Sequence, residues 1–154
     1  MAMKSLVVYV SVEHGNTEKV ARAISDVLGA DLREAKDVDP SVIHSYELTG
    51  FGSGIFYGKF HARLLKLVKE MPSSQSKAFI FSTSGYGKTD YHVDLRKELE
   101  GKGYLVVGDF ACKAWDTWGP FKLTGGINKG RPNEKDLNLA REFAKGQLSI
   151  SPGQ

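Results

Sequence analysis

Residues Val7–Thr17 read VVYVSVEHGNT. The run Leu6–Val10 is continuous, apolar and rich in β-branched side chains, as suits a strand buried on both faces. After a short polar loop, Val20, Ala21, Ile24, Val27 and Leu28 recur at helical spacing on one face, and Gly29 stands where a C-cap belongs. A helix N-terminus presents unpaired N–H groups and the positive end of the helix dipole, so it favours a bound phosphate. Ser11, Asn16 and Thr17 add hydroxyl and amide donors, and Gly15 permits close backbone approach. The stretch therefore predicts a strand–loop–helix phosphate cradle that uses no lysine and no Walker pattern.

Outward from this unit, strand and helix signals keep alternating. Ala30–Ala35 alternates polar and apolar residues like a short edge strand, and Asp39-Pro40 marks a helix start or turn. Glu47–Gly52 reads as a second central strand, followed by the glycine-bearing segment Ser53–Gly58. A helix is predicted over about Lys59–Met71, from the spacing of Phe60, Leu64, Leu65 and Val68, with Pro72 ending it. Ala78–Ser82 is a strand, Thr83–Lys88 another glycine-bearing loop, and Asp90 a candidate cap for a helix carrying Val93, Leu95 and Leu99. Tyr104–Phe110 reads as a strand, Lys113–Arg131 as irregular, and Asn133 as the cap of a last helix through Leu137, Ala140 and Phe143.

This alternation predicts an α/β fold: a three-layer α/β/α sandwich on a five-stranded parallel sheet in the order 2-1-3-4-5. A single domain is expected over residues 3–148, with 149–154 as a tail. In such a sheet, ligands sit at the carboxyl ends of the strands, where the three glycine-bearing loops would converge.

Composition narrows the function classes. The net charge of +3 is mild, and the basic residues are scattered beside acids along helices, so no nucleic-acid surface is expected. No apolar run is long enough to span a bilayer, and no secretory signal is visible. Cys112 is the only cysteine, which excludes an internal disulfide and suits a cytoplasmic protein.

The chain resembles the flavodoxins over nearly its whole length. The resemblance rests on HGNT with Glu18 at the first loop, GFGSGIFYGKF at Gly50–Phe60, and STSGYG at Ser82–Gly87, in that order. The later stretch KAWDTWGPFKLTGGINKGRPNEKDL is also similar to that family. It implies a tightly held, non-covalent FMN. The phosphate would lie in the loop of Ser11, Glu13, His14, Gly15, Asn16 and Thr17. The isoalloxazine ring would lie between Ser53, Gly54, Ile55, Phe56, Tyr57 and Gly58 on one side and Thr83, Ser84, Gly85, Tyr86 and Gly87 on the other. Ile55, Phe56 and Tyr57 would border it and Tyr86 would stack on it. The family also flips a loop peptide toward flavin N5, which either Gly54 or Gly58 would permit.

Two departures stand out. Against the family's usual first loop, His14 stands where a threonine is expected, and Glu13 or Val12 makes the loop one residue longer. Glu13 is expected to point away from a phosphate, and His14 either donates to it or faces solvent. The mildly basic charge also departs from the acidic flavodoxins, which suggests an acidic or neutral redox partner.

Other motifs carry less. Gly87-Lys88-Thr89 resembles the end of a P-loop, but Ser82 occupies the place of its first glycine. Gly52 and Gly54 do not open a GxGxxG, because Tyr57 stands where the third glycine belongs. His14, His44, His61 and His92 lack metal-ligand spacing, and His61 and His92 are expected on helix surfaces or near the cofactor mouth. Cys112 reads as a small core residue. Trp115 and Trp118 either pack the loop against the sheet, or cover the flavin rim or contact a partner. The function expected is a monomeric one-electron carrier between redox proteins, with no catalytic residue and no metal. The alternatives are an FMN-dependent NAD(P)H or quinone reductase, and a related module that has lost its flavin.

Overall fold

A computed structural model of the chain describes residues 3–12, 15–114 and 128–148. Five parallel strands form its centre: β1 (Ser5–Val10), β2 (Asp31–Glu34), β3 (Leu48–Phe56), β5 (Lys77–Ser84) and β6 (Leu105–Lys113), with a two-residue β4 (Lys59–Phe60) antiparallel to β3. The parallel strands lie in the order β2-β1-β3-β5-β6, which is the expected 2-1-3-4-5 once the short β4 is set aside. Helices α1 (Asn16–Leu28), α2 (Ala62–Glu70), α3 (Val93–Gly101) and α4 (Glu134–Leu148) cover the sheet.

The period-2 geometry of a strand divides β1 between two cores. Leu6, Val8 and Val10 face Leu64, Leu67 and Val68 of α2 and Leu95 and Leu99 of α3. Val7 and Tyr9 face Val20, Ile24 and Leu28 of α1 and Ala140 and Ala144 of α4. Helices α1 and α4 thus form one outer layer, and α2 and α3 the other, completing the three-layer sandwich.

Gly50 and Gly52 are packing residues. A Cβ on Gly50 would come within 2.2 Å of the Phe79 ring, and one on Gly52 within 2.2 Å of the Phe81 ring. Phe79 and Phe81, both fully buried, lie over the β3 backbone because no side chain stands there. The glycine-rich motif is therefore partly a record of aromatic packing on the α1/α4 side.

Three local expectations are corrected. The helix expected from Lys59 begins at Ala62, because Lys59 and Phe60 pair back onto Phe56 and Ile55. Asp90 lies inside a 3-10 turn, Thr89–His92, and caps no helix; His92 immediately precedes α3. His92 itself is 1% exposed, so it belongs to the interior and not to a helix surface. Asn133 does cap α4: its Oδ1 accepts from the Asp136 amide at 3.0 Å, and Asp136 Oδ2 accepts from the Asn133 amide at 2.8 Å, a reciprocal box.

Candidate functional site

The carboxyl ends of β1, β3 and β5 lie on one edge, since Val10 pairs with Ser53 and Gly54 with Thr83 in parallel register. The segments Ser11–Thr17, Ser53–Gly58 and Thr83–Gly87 therefore leave the sheet side by side. Of their residues, Glu13 and His14 lie outside the described residues, as do Trp115 and Trp118.

The first segment turns into α1 through Gly15, whose φ of 69° is left-handed and suits a residue without Cβ. Gly15 supplies no capping side chain. Instead Ser11 Oγ accepts from the Glu18 amide at 3.3 Å, which leaves the Ser11 O–H able to donate outward. Thr17 is buried, and its hydroxyl lies 2.8 Å from that of Thr83. Tyr9 donates to Glu18 Oε1 at 3.0 Å; burial first, and then this carboxylate, push the Tyr9 phenol up to about 12. The bond holds an acidic side chain of the first turn against β1, and the nearby Arg22 offsets its charge at 3.8 Å.

The second segment is mostly strand. Ser53 is fully buried; its hydroxyl donates to the Gly54 carbonyl at 2.6 Å and accepts from the His61 amide at 3.1 Å. Gly54 continues the ladder opposite Thr83. Ile55 and Phe56 then pair with Phe60 and Lys59, so only Tyr57 and Gly58 form the turn. Both have positive φ, 51° and 79°, the requirement of a type I′ hairpin. Tyr57 is 85% exposed at its tip. The Phe56 ring packs edge-on to the His61 imidazole at 5.5 Å, and His61 Nδ1 accepts from the Arg63 amide, capping α2. Burial is the main cause lowering the His61 pKa, with Arg63 adding to it.

In the third segment Thr83 and Ser84 end β5. Ser84 Oγ accepts from the Gly87 amide at 2.8 Å, and the Ser84 carbonyl accepts from Ala114. Gly85 is buried and its carbonyl accepts from Asn128 Nδ2 at 2.7 Å. Gly87 has φ +63° and lies against Lys113, so it answers both to conformation and to space. Tyr86 is 57% exposed, with Lys88 Nζ 5.5 Å from its ring centroid.

One constellation escaped the sequence. Ser82 Oγ lies 2.7 Å from His92 Nε2, and His92 Nδ1 lies 2.9 Å from Asp109 Oδ2. Its only signal was Asp109, a carboxylate in the otherwise apolar stretch LVVGDF. Cys112 is buried, and desolvation leads the causes that push its thiol up to about 12. Among the described residues no group of His, Cys, Asp and Glu is arranged to hold a metal, and no helix is long and apolar enough to cross a membrane.

The fold and the three converging segments define a flavodoxin-type α/β domain. The chain matches the family described as Flavodoxin domain over residues 6–117, and it belongs to that family. An uncharacterized protein of Methanocaldococcus jannaschii is 47% identical over 148 residues, covering 95% of this chain and 99% of its own. A solved flavodoxin from the domain Archaea is 20% identical with a TM-score of 0.66, covering 92% of this chain and 94% of that one. A flavoprotein from Lactobacillus acidophilus NCFM, solved in complex with FMN, is 18% identical with a TM-score of 0.57, covering 70% and 92%. These two structures share the fold.

Proposed function

We propose that this chain binds FMN without a covalent bond and carries single electrons between redox proteins in the cytoplasm. The observation that carries the reading is the meeting, on one sheet edge, of an α1 N-terminus turned by a left-handed glycine with two loops that expose Tyr57 and Tyr86. The residues fit such a group. Gly15 leaves open space where a Cβ would stand, and Ser11 retains a hydroxyl hydrogen for a phosphate oxygen. Exposed aromatic faces suit a flat heteroaromatic ring, with about 0.5–1.5 kcal/mol from offset stacking beyond burial.

In this reading the α1 N-terminus, Ser11, Asn16 and Thr17 hold the phosphate. Ile55, Phe56 and Tyr57 border the ring, and Tyr86 lies against it. When bound, FMN supplies the one-electron chemistry, and the protein orients it and excludes water. Of the two glycines that permit a peptide flip, Gly58 is the better placed: it sits in the turn, whereas Gly54 lies within the ladder beside Thr83. Turning over the Tyr57–Gly58 peptide would present or withdraw the Tyr57 carbonyl as a hydrogen-bond acceptor.

The partner we propose is acidic. Lys59, Lys88 and Lys113 are exposed on the loops and strand ends of this edge, which also carries the exposed acids Asp90 and Asp94 and the partly exposed Glu18. Complementary charge of this kind accelerates encounter and is weakened by salt. An electron-transfer rate to an acidic partner that rises with added salt would sink this part of the reading.

The deciding experiment is a visible spectrum of purified protein titrated with FMN and then with reductant. A yellow stoichiometric complex reduced in two resolved one-electron steps supports the carrier. Direct two-electron reduction by NAD(P)H would replace it with a reductase. Absence of FMN binding would overturn the proposal.

A further inference from the structure

We infer that His92 is a positioning residue for the planar ligand: clamped between Ser82 and Asp109, it closes the Gly85–Tyr91 loop on a fixed frame and so sets where Tyr86 stands. The inference rests on the flavin reading above, and its test separates the two.

A carboxylate only accepts, so His92 Nδ1 carries the hydrogen toward Asp109 Oδ2, and in the neutral ring Nε2 then accepts from the Ser82 hydroxyl. Arg96 stands 3.8 Å from the other Asp109 oxygen and balances its charge. Phe60, from the hairpin that carries Tyr57, packs on the imidazole with ring centroids 5.5 Å apart. Serine, histidine and aspartate follow the order of a hydrolase triad, but Ser82 is fully buried and no substrate carbonyl can reach it. The constellation therefore acts on the protein's own chain.

Its place in the loop shows what it acts on. The chain leaves β5 at Ser84, where three bonds pin it: Ala114 N–H to the Ser84 carbonyl, Gly87 N–H to Ser84 Oγ, and Asn128 to the Gly85 carbonyl. It returns at His92, whose side chain reaches back to Ser82, two positions before the departure, and across to β6. Between these clamps Tyr86 stands 57% exposed. A side chain that joins the returning end to two adjacent strands and touches Phe60 of the opposite wall couples both loops of the ring site.

A merely structural core histidine makes a different prediction, which variants can read. In H92F the aromatic packing stays, but Ser82 is left buried without its partner, so stability falls. In the double variant S82A/H92F the buried Ser82–His92 bond is gone from both sides and most of the stability recovers, because removing both partners of a buried bond is nearly neutral. Asp109 loses its bond to His92 but is 28% exposed and keeps Arg96. The full-length protein is measured for affinity toward FMN and riboflavin, for thermal unfolding of the flavin-free form, and for amide exchange at residues 85–91. We expect S82A/H92F to unfold near wild type, to exchange those amides faster, and to bind FMN and riboflavin about tenfold more weakly, by equal factors since the loss lies at the ring. Wild-type affinities, or wild-type exchange, in the double variant overturn the inference. So does a loss confined to FMN, which would place the effect at the phosphate. If wild-type protein binds neither flavin, the flavin reading fails first and the inference falls with it. Faster exchange would then describe a loop clamp without a ligand.

Discussion

The hydroxyls of Thr17 and Thr83 lie 2.8 Å apart in the interior, tying the first turn of α1 to the end of β5 across 66 positions of sequence. Through this contact the helix that would meet a phosphate is held directly to the strand whose loop carries Tyr86. Replacing either threonine by valine strands the other hydroxyl, at a cost of about 1–3 kcal/mol. The double replacement T17V/T83V is expected to recover most of it, and urea unfolding of the flavin-free protein in a double-mutant cycle measures the coupling. In the proposed site Thr17 stands in the phosphate turn, so T17V is also expected to weaken FMN more than riboflavin.

The close approach of Phe79 and Phe81 to the β3 backbone predicts intolerance at two exchangeable-looking glycines. G50A and G52A each place a Cβ inside an aromatic ring contact, at 2.2 Å, so the ring must leave its packing. We expect each to destabilise the fold by about 1–3 kcal/mol, read as a shift of the urea midpoint without a change of slope. A neutral result would show that the rings can move at no cost.

Tyr57 pairs an exposed aromatic face with a left-handed backbone at φ 51°, which costs a non-glycine residue about 1–2 kcal/mol. Y57G should relieve that strain and raise stability, offset in part by the greater freedom of glycine in the unfolded chain. The same change removes an aromatic wall of the proposed ring site, so flavin affinity should fall. Stability and affinity moving in opposite directions is the expected signature of strain kept for a ligand. Both moving down together would contradict it.

The buried histidine also sets a pH window. Desolvation is the main cause holding the His92 pKa below its ordinary 6.5, with Arg96 acting the same way and the Asp109 bond and charge opposing them. The unfolded chain therefore binds a proton that the folded chain refuses as pH falls below 6.5. Stability is unaffected above that value and declines below it, down to the lowered native pKa. His61 contributes in the same direction, its pKa lowered by burial and by Arg63. Urea midpoints between pH 7.5 and 5 should fall, and the slope should be shallower in S82A/H92F; equal slopes would exclude His92 as a source.

Cys112 is predicted to be inert in the folded protein. Its thiol is 7% exposed and pushed up to about 12, first by desolvation and then by the Asp136 charge. A neutral-pH thiol reagent should label it at the rate of unfolding, with rapid labelling in urea. Fast labelling of native protein would place the sulfur at the surface.

Strand and helix positions were largely legible because they are written in local periods. Leu6–Val10 shows an unbroken apolar run, α1 shows helical spacing closed by Gly29, and the Asn133 cap lies beside the residues it serves. Alternation of these units then implies a parallel sheet, and the sheet implies the edge on which loops gather. The hairpin at Tyr57–Gly58 was hidden for an equally local reason. Phe60 precedes Leu64 by one helical turn, so a residue that pairs with Ile55 looks like the start of α2.

What the sequence by itself determined is thus the order of elements, the layered fold and the three segments at one strand edge. What only the tertiary structure decided is which side chains meet there. Thr17 with Thr83, Ser82 with His92 and Asp109, and the glycines of β3 with Phe79 and Phe81 are joined by sheet register and helix docking. Periodicity shows which face of an element is buried, but a partner on another element is chosen only when the strands align and the helices settle on them.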